Sequence, residues 1–146
     1  MKYTRLFFLE LTLLFSMSSL TYAQGAGIEW DLLNKEVMEL YSAGNYDHAV
    51  IVAQKALRVA EQNGGSGDVA TSLNNLAQLY DTQGDYAKAE PLYKRSLAIL
   101  EKALGSDHPY VATSLENLAA LYRATKRSKD AEPLEQRAAK IRAIKR

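Results

Sequence analysis

Apolar residues recur three, four and seven positions apart along most of this chain. Leu73, Leu76, Ala77 and Tyr80 form one such set, the spacing that lines up a single apolar stripe on a helix of 3.6 residues per turn. Ala89, Leu92, Tyr93, Ser96, Leu97 and Leu100 form the next set. Between the two, Gly84 suits the left-handed position that ends a helix, and Asp85 can cap the one after it. Pro91 is expected early in this second helix, where a missing N–H costs least, with Pro133 in the matching place further on. Pro109 is pre-set for the first turn of another helix. No stretch alternates apolar and polar residues with period two, so the pattern predicts an all-α fold without a sheet.

The same pattern returns as an internal repeat. Val69–Tyr80 reads VATSLNNLAQLY and Val111–Tyr122 reads VATSLENLAALY, identical at ten of twelve positions with an offset of 42. That offset also aligns Ala89-Glu90-Pro91-Leu92 with Ala131-Glu132-Pro133-Leu134. A weaker copy lies upstream at an offset of 40, where Gly44-Asn45-Tyr46 matches Gly84-Asp85-Tyr86 and Ala49 matches Ala89. The chain thus divides into three units, at about 28–67, 68–109 and 110–146, each read as a pair of helices. One pair cannot bury its own apolar face. Stacked pairs can, as a helical-hairpin solenoid with a concave inner surface.

Residues 1–23 break the pattern. Lys2 and Arg5 precede an apolar run from Leu6 to Phe15, and Thr21-Tyr22-Ala23 places small residues at the −3 and −1 positions of a cleavage site between Ala23 and Gln24. The run is shorter than the roughly 20 residues of a membrane span, and Glu10 lies within it. The expectation is a cleaved secretory leader, 1–23, then a short linker, 24–27, and an exported repeat domain, 28–146, in the periplasm or secreted. Membrane attachment would arise only if the leader were retained.

The repeat resembles the tetratricopeptide repeat, in which a small residue of the first helix, a Gly-x-Tyr turn and an alanine of the second helix recur. Here these are Ala77, Gly84, Tyr86 and Ala89, with Tyr93 as the second-helix aromatic. Leu104-Gly105-Ser106-Asp107-His108-Pro109 followed by VATSLENLAALY is similar to the 42-residue repeat of kinesin light chains and their bacterial relatives. The outer units depart from it. Unit three has Lys126 for the turn glycine, Ser128 for the turn tyrosine, Glu135 for Tyr93 and Ala139 for Leu97, which reads as a cap. Unit one has Glu36 where unit two has Leu76, and Val37 at the small position.

The resemblance implies a non-catalytic scaffold that binds a protein or an extended peptide on the wall formed by the first helix of each pair. It places Asn34, Met38 and Tyr41 of unit one on that wall, with Asn74, Asn75, Gln78 and Asp81 of unit two and Glu116, Asn117, Ala120 and Arg123 of unit three. An amide side chain donates and accepts, as a peptide unit does, so Asn75 and Asn117, one repeat apart, are candidates to hold a peptide backbone. The alternative is that they tie adjacent helices together.

Catalytic and metal chemistry find little footing. The chain has no cysteine and two histidines, His48 and His108, far apart in sequence; no metal-ligand spacing and no nucleophile–base pair emerges. His108 reads as a cap or loop residue. Gly64-Gly65-Ser66-Gly67 has neither the preceding strand nor the lysine of a phosphate loop and reads as a turn between units. We expect no enzyme, no cofactor and, with a formal net charge of +1, no nucleic-acid partner. That charge is unevenly placed: residues 24–122 hold seven basic and thirteen acidic side chains, residues 123–146 nine basic and three acidic. The second reading that this polarity allows is a structural protein that self-associates end to end.

Overall fold

The computed structural model describes residues 25 and 27–144, and the leader with its cleavage site at Ala23 and Gln24 lies outside them. The fold is all-α: α1 (27–42), α2 (Tyr46–Asn63), α3 (Ser66–Thr82), α4 (Tyr86–Leu104), α5 (Pro109–Ala124) and α6 (Ser128–Ile144). The helices pair as hairpins, α3 with α4 and α5 with α6, and α4 packs on α5 as α2 does on α3.

Turn chemistry sets the hairpins. Gly44 and Gly84 both take positive φ, 73° and 78°, and the amides of Asn45 and Asp85 reach back to the carbonyls of Leu40 and Tyr80. Asp85 then caps α4 by accepting from the Lys88 amide. The third turn has the same shape without glycine: Lys126 sits at φ 61°, a conformation that costs a non-glycine residue roughly 1–2 kcal/mol. Its neighbour holds it there. The Arg127 guanidinium lies 4.1 Å from the Tyr122 ring centroid and donates to Glu90 and Asp130. Glu90 also receives Lys94 and the Tyr122 hydroxyl, and these charges and donors, Lys94 first, hold its carboxyl below the usual range.

Two sequence readings shift. Pro91 and Pro133 fall at the sixth position of α4 and α6, past the first turn, so the carbonyls of Ala87 and Lys129 lose their helical donor. Both prolines are exposed, on the side where water can serve those carbonyls. The glycine-rich turn is also shorter than expected. Ser66 and Gly67 already belong to α3, because the Asp68 carboxylate accepts from the Gly65 amide and closes the first turn there.

The core forms where hairpins meet, around small residues. Ala49, Ala77, Ala89 and Ala131 are wholly buried. Around them pack Val52, Leu76 and Leu79 at the first junction, and Tyr93, Leu118 and Leu121 at the second. Fully burying one such large side chain contributes about 1.5–3 kcal/mol; the alanines let the helices close to the distance at which that burial is complete. On the outward faces of the first and third units the pattern changes. Glu36 and Glu39, both exposed, stand where unit two has Leu76 and Leu79, and Glu135, Ala139 and Arg142 stand where it has Tyr93, Leu97 and Leu100.

Each of the last two hairpins is clamped by one pair of side chains at equivalent positions. In unit two Asp81 and Tyr93 stand at these positions and face each other; in unit three Arg123 makes a two-pronged contact with Glu135, at 2.9 and 2.7 Å. The departure of Glu135 from tyrosine is thus matched by that of Arg123 from aspartate. Burial holds the Asp81 carboxyl above its usual range, against the opposing effect of the tyrosine hydrogen bond.

These contacts generate two expected outcomes. Ala89→Leu overpacks the closed helix contact and lowers the thermal midpoint by an amount corresponding to about 1–3 kcal/mol, while Ala87→Leu, at an exposed site of the same helix, leaves it nearly unchanged; thermal denaturation followed by circular dichroism compares them. Ionised Asp81 weighs against the fold wherever pH exceeds its unfolded pKa, and the penalty fades as pH falls through the raised folded value. Asp81→Asn removes the charge and keeps an oxygen on the side that Tyr93 faces. The variant is therefore at least as stable as the wild type at pH 7, and any advantage disappears near pH 3; a wild type clearly more stable at pH 7 would contradict the clamp as described.

Candidate functional site

The first helices of the three units lie side by side and share a rail of asparagines. Asn75 Nδ2 on α3 donates to Asn34 Oδ1 on α1 at 3.1 Å, and Asn117 Nδ2 on α5 donates to Asn74 Oδ1 on α3 at 3.0 Å. Asn34 in turn donates to the Trp30 carbonyl one turn earlier. The two contacts are repeats of one another, since Asn34 and Asn74 are equivalent at the first offset, and Asn75 and Asn117 at the second. All four residues are half-buried. Each pair ties one hairpin to the next, yet Asn74 Nδ2, Asn75 Oδ1 and Asn117 Oδ1 carry no hydrogen bond among the described residues. The rail therefore keeps unused capacity both to donate, at Asn74 Nδ2, and to accept, at Asn75 Oδ1 and Asn117 Oδ1.

The other candidates divide. Met38 and Gln78 are exposed beside the rail, as is Ala120. Tyr41 packs edge-on against Tyr46, with ring centroids 5.4 Å apart, and its hydroxyl lies 3.4 Å from Thr82 Oγ1. Asp81 and Arg123 are engaged in the hairpin clamps. Glu116 is engaged too, receiving both Nε and Nη2 of Arg142. His108 accepts from the Tyr110 amide through Nδ1 and so caps α5, and His48 is exposed on α2. Among the described residues no three His, Cys, Asp or Glu side chains come together as a metal set, and no helix is long and apolar enough to cross a membrane.

Beside Asn74 the surface opens into a largely apolar cleft of about 420 Å³. Ala70 and Thr71 of α3 form one wall, Tyr110 and Thr113 of α5 the opposite one, and Leu100 and Leu104 of α4 the floor and far edge. Tyr110 and Leu104 stay 64% and 43% exposed, unusual for large side chains that line a concavity. The periodicity of the sequence does not reveal this cleft. Its trace there is faint: at an offset of 40, Ala70, Leu100 and Leu104 stand where unit one has Trp30, Ala60 and Gly64.

The basic excess of the last segment turns largely inward. Arg127, Arg137 and Arg142 pair with Glu90, Glu101 and Glu116 of the acidic preceding segment, and Arg123 with Glu135. Among the described residues Lys126, Lys129 and Lys140 make no ion pair.

Comparison with known proteins agrees with this architecture. The solved structure of BtubC (BKLC) from P. vanneervenii superposes with a TM-score of 0.72 at 28% identity, covering 79% of this chain and 47% of that one. The nearly identical TPR-like repeats of a kinesin light chain-type protein from Podosopora anserina superpose with a TM-score of 0.69 at 23% identity, covering 77% and 55%; the latter likeness is one of fold alone. The chain spans about half the length of these structures. No curated protein matches it. The model of the tetratricopeptide repeat matches twice, over residues 38–102 and 68–143, and on that overlapping coverage the chain belongs to the tetratricopeptide repeat family.

Proposed function

We propose that this protein is a non-catalytic scaffold that holds an extended segment of a partner protein along the face lined by α1, α3 and α5. Tetratricopeptide repeats generally serve protein–protein interaction. The observation that carries the finer reading is the asparagine rail, whose two identical inter-unit contacts leave a donor on Asn74 and acceptors on Asn75 and Asn117. A peptide in extended conformation offers the complementary groups at regular spacing. The rail's structural and binding roles coexist, because each amide has more hydrogen-bonding capacity than its neighbour uses. We further propose that the chain is exported, its leader removed between Ala23 and Gln24, so that the partner is a protein of the envelope or the exterior. End-to-end self-association draws no support from Arg123, Arg127, Arg137 and Arg142, which the protein pairs with its own carboxylates.

Panning a random peptide display library on the full chain, followed by affinity measurement of the enriched peptides, tests the binding face. Asn75→Ala together with Asn117→Ala removes two inter-unit hydrogen bonds, each contributing about 0.5–1.5 kcal/mol. The midpoint should fall by a few degrees while the protein remains folded, and peptide affinity should drop by about tenfold or more. Peptides that bind the folded double variant as tightly as the wild type would place recognition elsewhere. For the leader, intact mass spectrometry of the exported protein should give Gln24 as the first residue, free or cyclised; mature material that begins at Met1 would show a retained leader.

A further inference from the structure

Among α2 to α6, one helix begins without a carboxylate. Asp47, Asp68 and Asp130 lie in the first turns of α2, α3 and α6, and Asp85 caps α4. Such charges answer the positive end of the helix dipole. The first turn of α5 holds no acidic residue, and its cap is the imidazole of His108. The opening amides of a helix have no partner inside it, and in α5 they leave one place to fill. The His108 amide reaches the Gly105 carbonyl at 3.3 Å, Pro109 has no N–H, and the Val111 amide reaches the His108 carbonyl at 2.9 Å. The Tyr110 amide has His108 Nδ1 alone, at 3.2 Å.

A ring nitrogen accepts only while it carries no proton, so this bond requires a neutral imidazole with its hydrogen on Nε2. A second proton turns Nδ1 into a donor that faces another donor, and sets a positive charge at the positive end of the helix. The surroundings add to that conflict. Arg137 of α6 donates to the Ser106 carbonyl and pairs with Glu101 of α4, so a cation reaches the loop while that carboxylate is engaged. Asp107 beside the ring is exposed, and water weakens its pull. The Tyr110 ring lies 5.1 Å from the imidazole. Across the cleft, Asp68 of α3 is held by the Gly65 amide.

We infer that His108 is an acid-sensitive cap: when its imidazole takes a proton, the first turn of α5 loses its anchor and the cleft loses the order of the wall that Tyr110 forms. The change is local. Val111 and Ala112, next in the same turn, are wholly buried in one cluster with Ala138 and Ile141 of α6, so the turn frays at Tyr110 while the stack of hairpins holds. Histidine changes charge between about pH 5 and pH 8, a range in which the aspartates at the other helix starts remain acceptors. The device stands apart from the proposed binding face and holds or fails whatever peptides do there.

The test follows the isotopically labelled full chain from about pH 8 to about pH 5. In the wild type the Tyr110 amide should shift together with the His108 ring signals, in one transition. Its hydrogen exchange, corrected for the intrinsic effect of pH, should quicken severalfold on the acid side. His108→Asn supplies an oxygen that accepts throughout this range. That variant should keep the Tyr110 amide protected, and its thermal midpoint should gain a few degrees on the wild type as pH falls. His48→Asn, at an exposed site of α2, should behave as the wild type does. Protonation of Asp81 acts with the opposite sign and is common to all three proteins. A Tyr110 amide that ignores the His108 transition, or a His108→Asn midpoint that runs parallel to the wild type, overturns the inference. Should His108→Asn fail to fold, the wild-type ring nitrogen shifts decide: a proton on Nδ1 at about pH 8 overturns it.

Discussion

A hairpin of two helices has an apolar face that only another hairpin can cover, and every other feature of this protein stems from that shortage. The contact must be close for burial to be complete, which places alanine at 49, 77, 89 and 131 and leaves the larger side chains to pack around them. It must also be correctly registered, because the apolar stripes are narrow. The asparagine rail and the Trp30–Ser72 hydrogen bond supply register where the apolar contacts alone are permissive. A residue facing two hairpins at once is thus both a structural tie and part of the exposed wall. In this protein the amides that tie the hairpins together are the same ones that the proposed binding face would use.

Electrostatics plays a secondary part, and the structure shows where. The excess of basic side chains in the last segment resembles a docking patch in the sequence, but most of its arginines reach back to carboxylates on the preceding helices. Each such pair lies at the surface, partly exposed, and surface pairs contribute about 0–1 kcal/mol. Their placement matters more than their strength. Arg142 and Glu135 occupy positions that are apolar in unit two, so the last hairpin keeps its inward fit while its outward face carries charge. At the third turn, Arg127 stacked on Tyr122 and bonded to Glu90 offsets the strain of a lysine in a left-handed conformation.

The fold was legible because it is written twice in nearly the same letters. Ten identical positions of twelve, the turn glycines and the apolar spacing each point to stacked hairpins, and the expected caps at Asp85 and His108 are in place. Legibility was poorer where two units cooperate. The family resemblance puts Asp81, Glu116 and Arg123 on the open face, but the side chains that engage them lie on the next helix, at separations that no stripe encodes. The asparagines posed a different difficulty, since tying helices and facing a ligand demand the same side chain. The cleft left the faintest trace of all: its lining differs from unit one at Ala70, Leu100 and Leu104, in the more degenerate pair of units, where the alignment itself is weak.

Unit two is the one hairpin whose two flanks both meet another hairpin through apolar contacts, whereas the outward flanks of its neighbours carry glutamates and an arginine. Duplication of its coding segment in place would therefore set each copy against flanks it already fits, and the stack would lengthen from its middle. A copy appended beyond Glu36 and Glu39, or beyond Glu135 and Arg142, would press its leucines onto charge. Each insertion would also extend the asparagine rail by one inter-unit contact, because unit two carries both Asn74 and Asn75. Chain length and the length of the rail are, in this architecture, a single evolutionary variable.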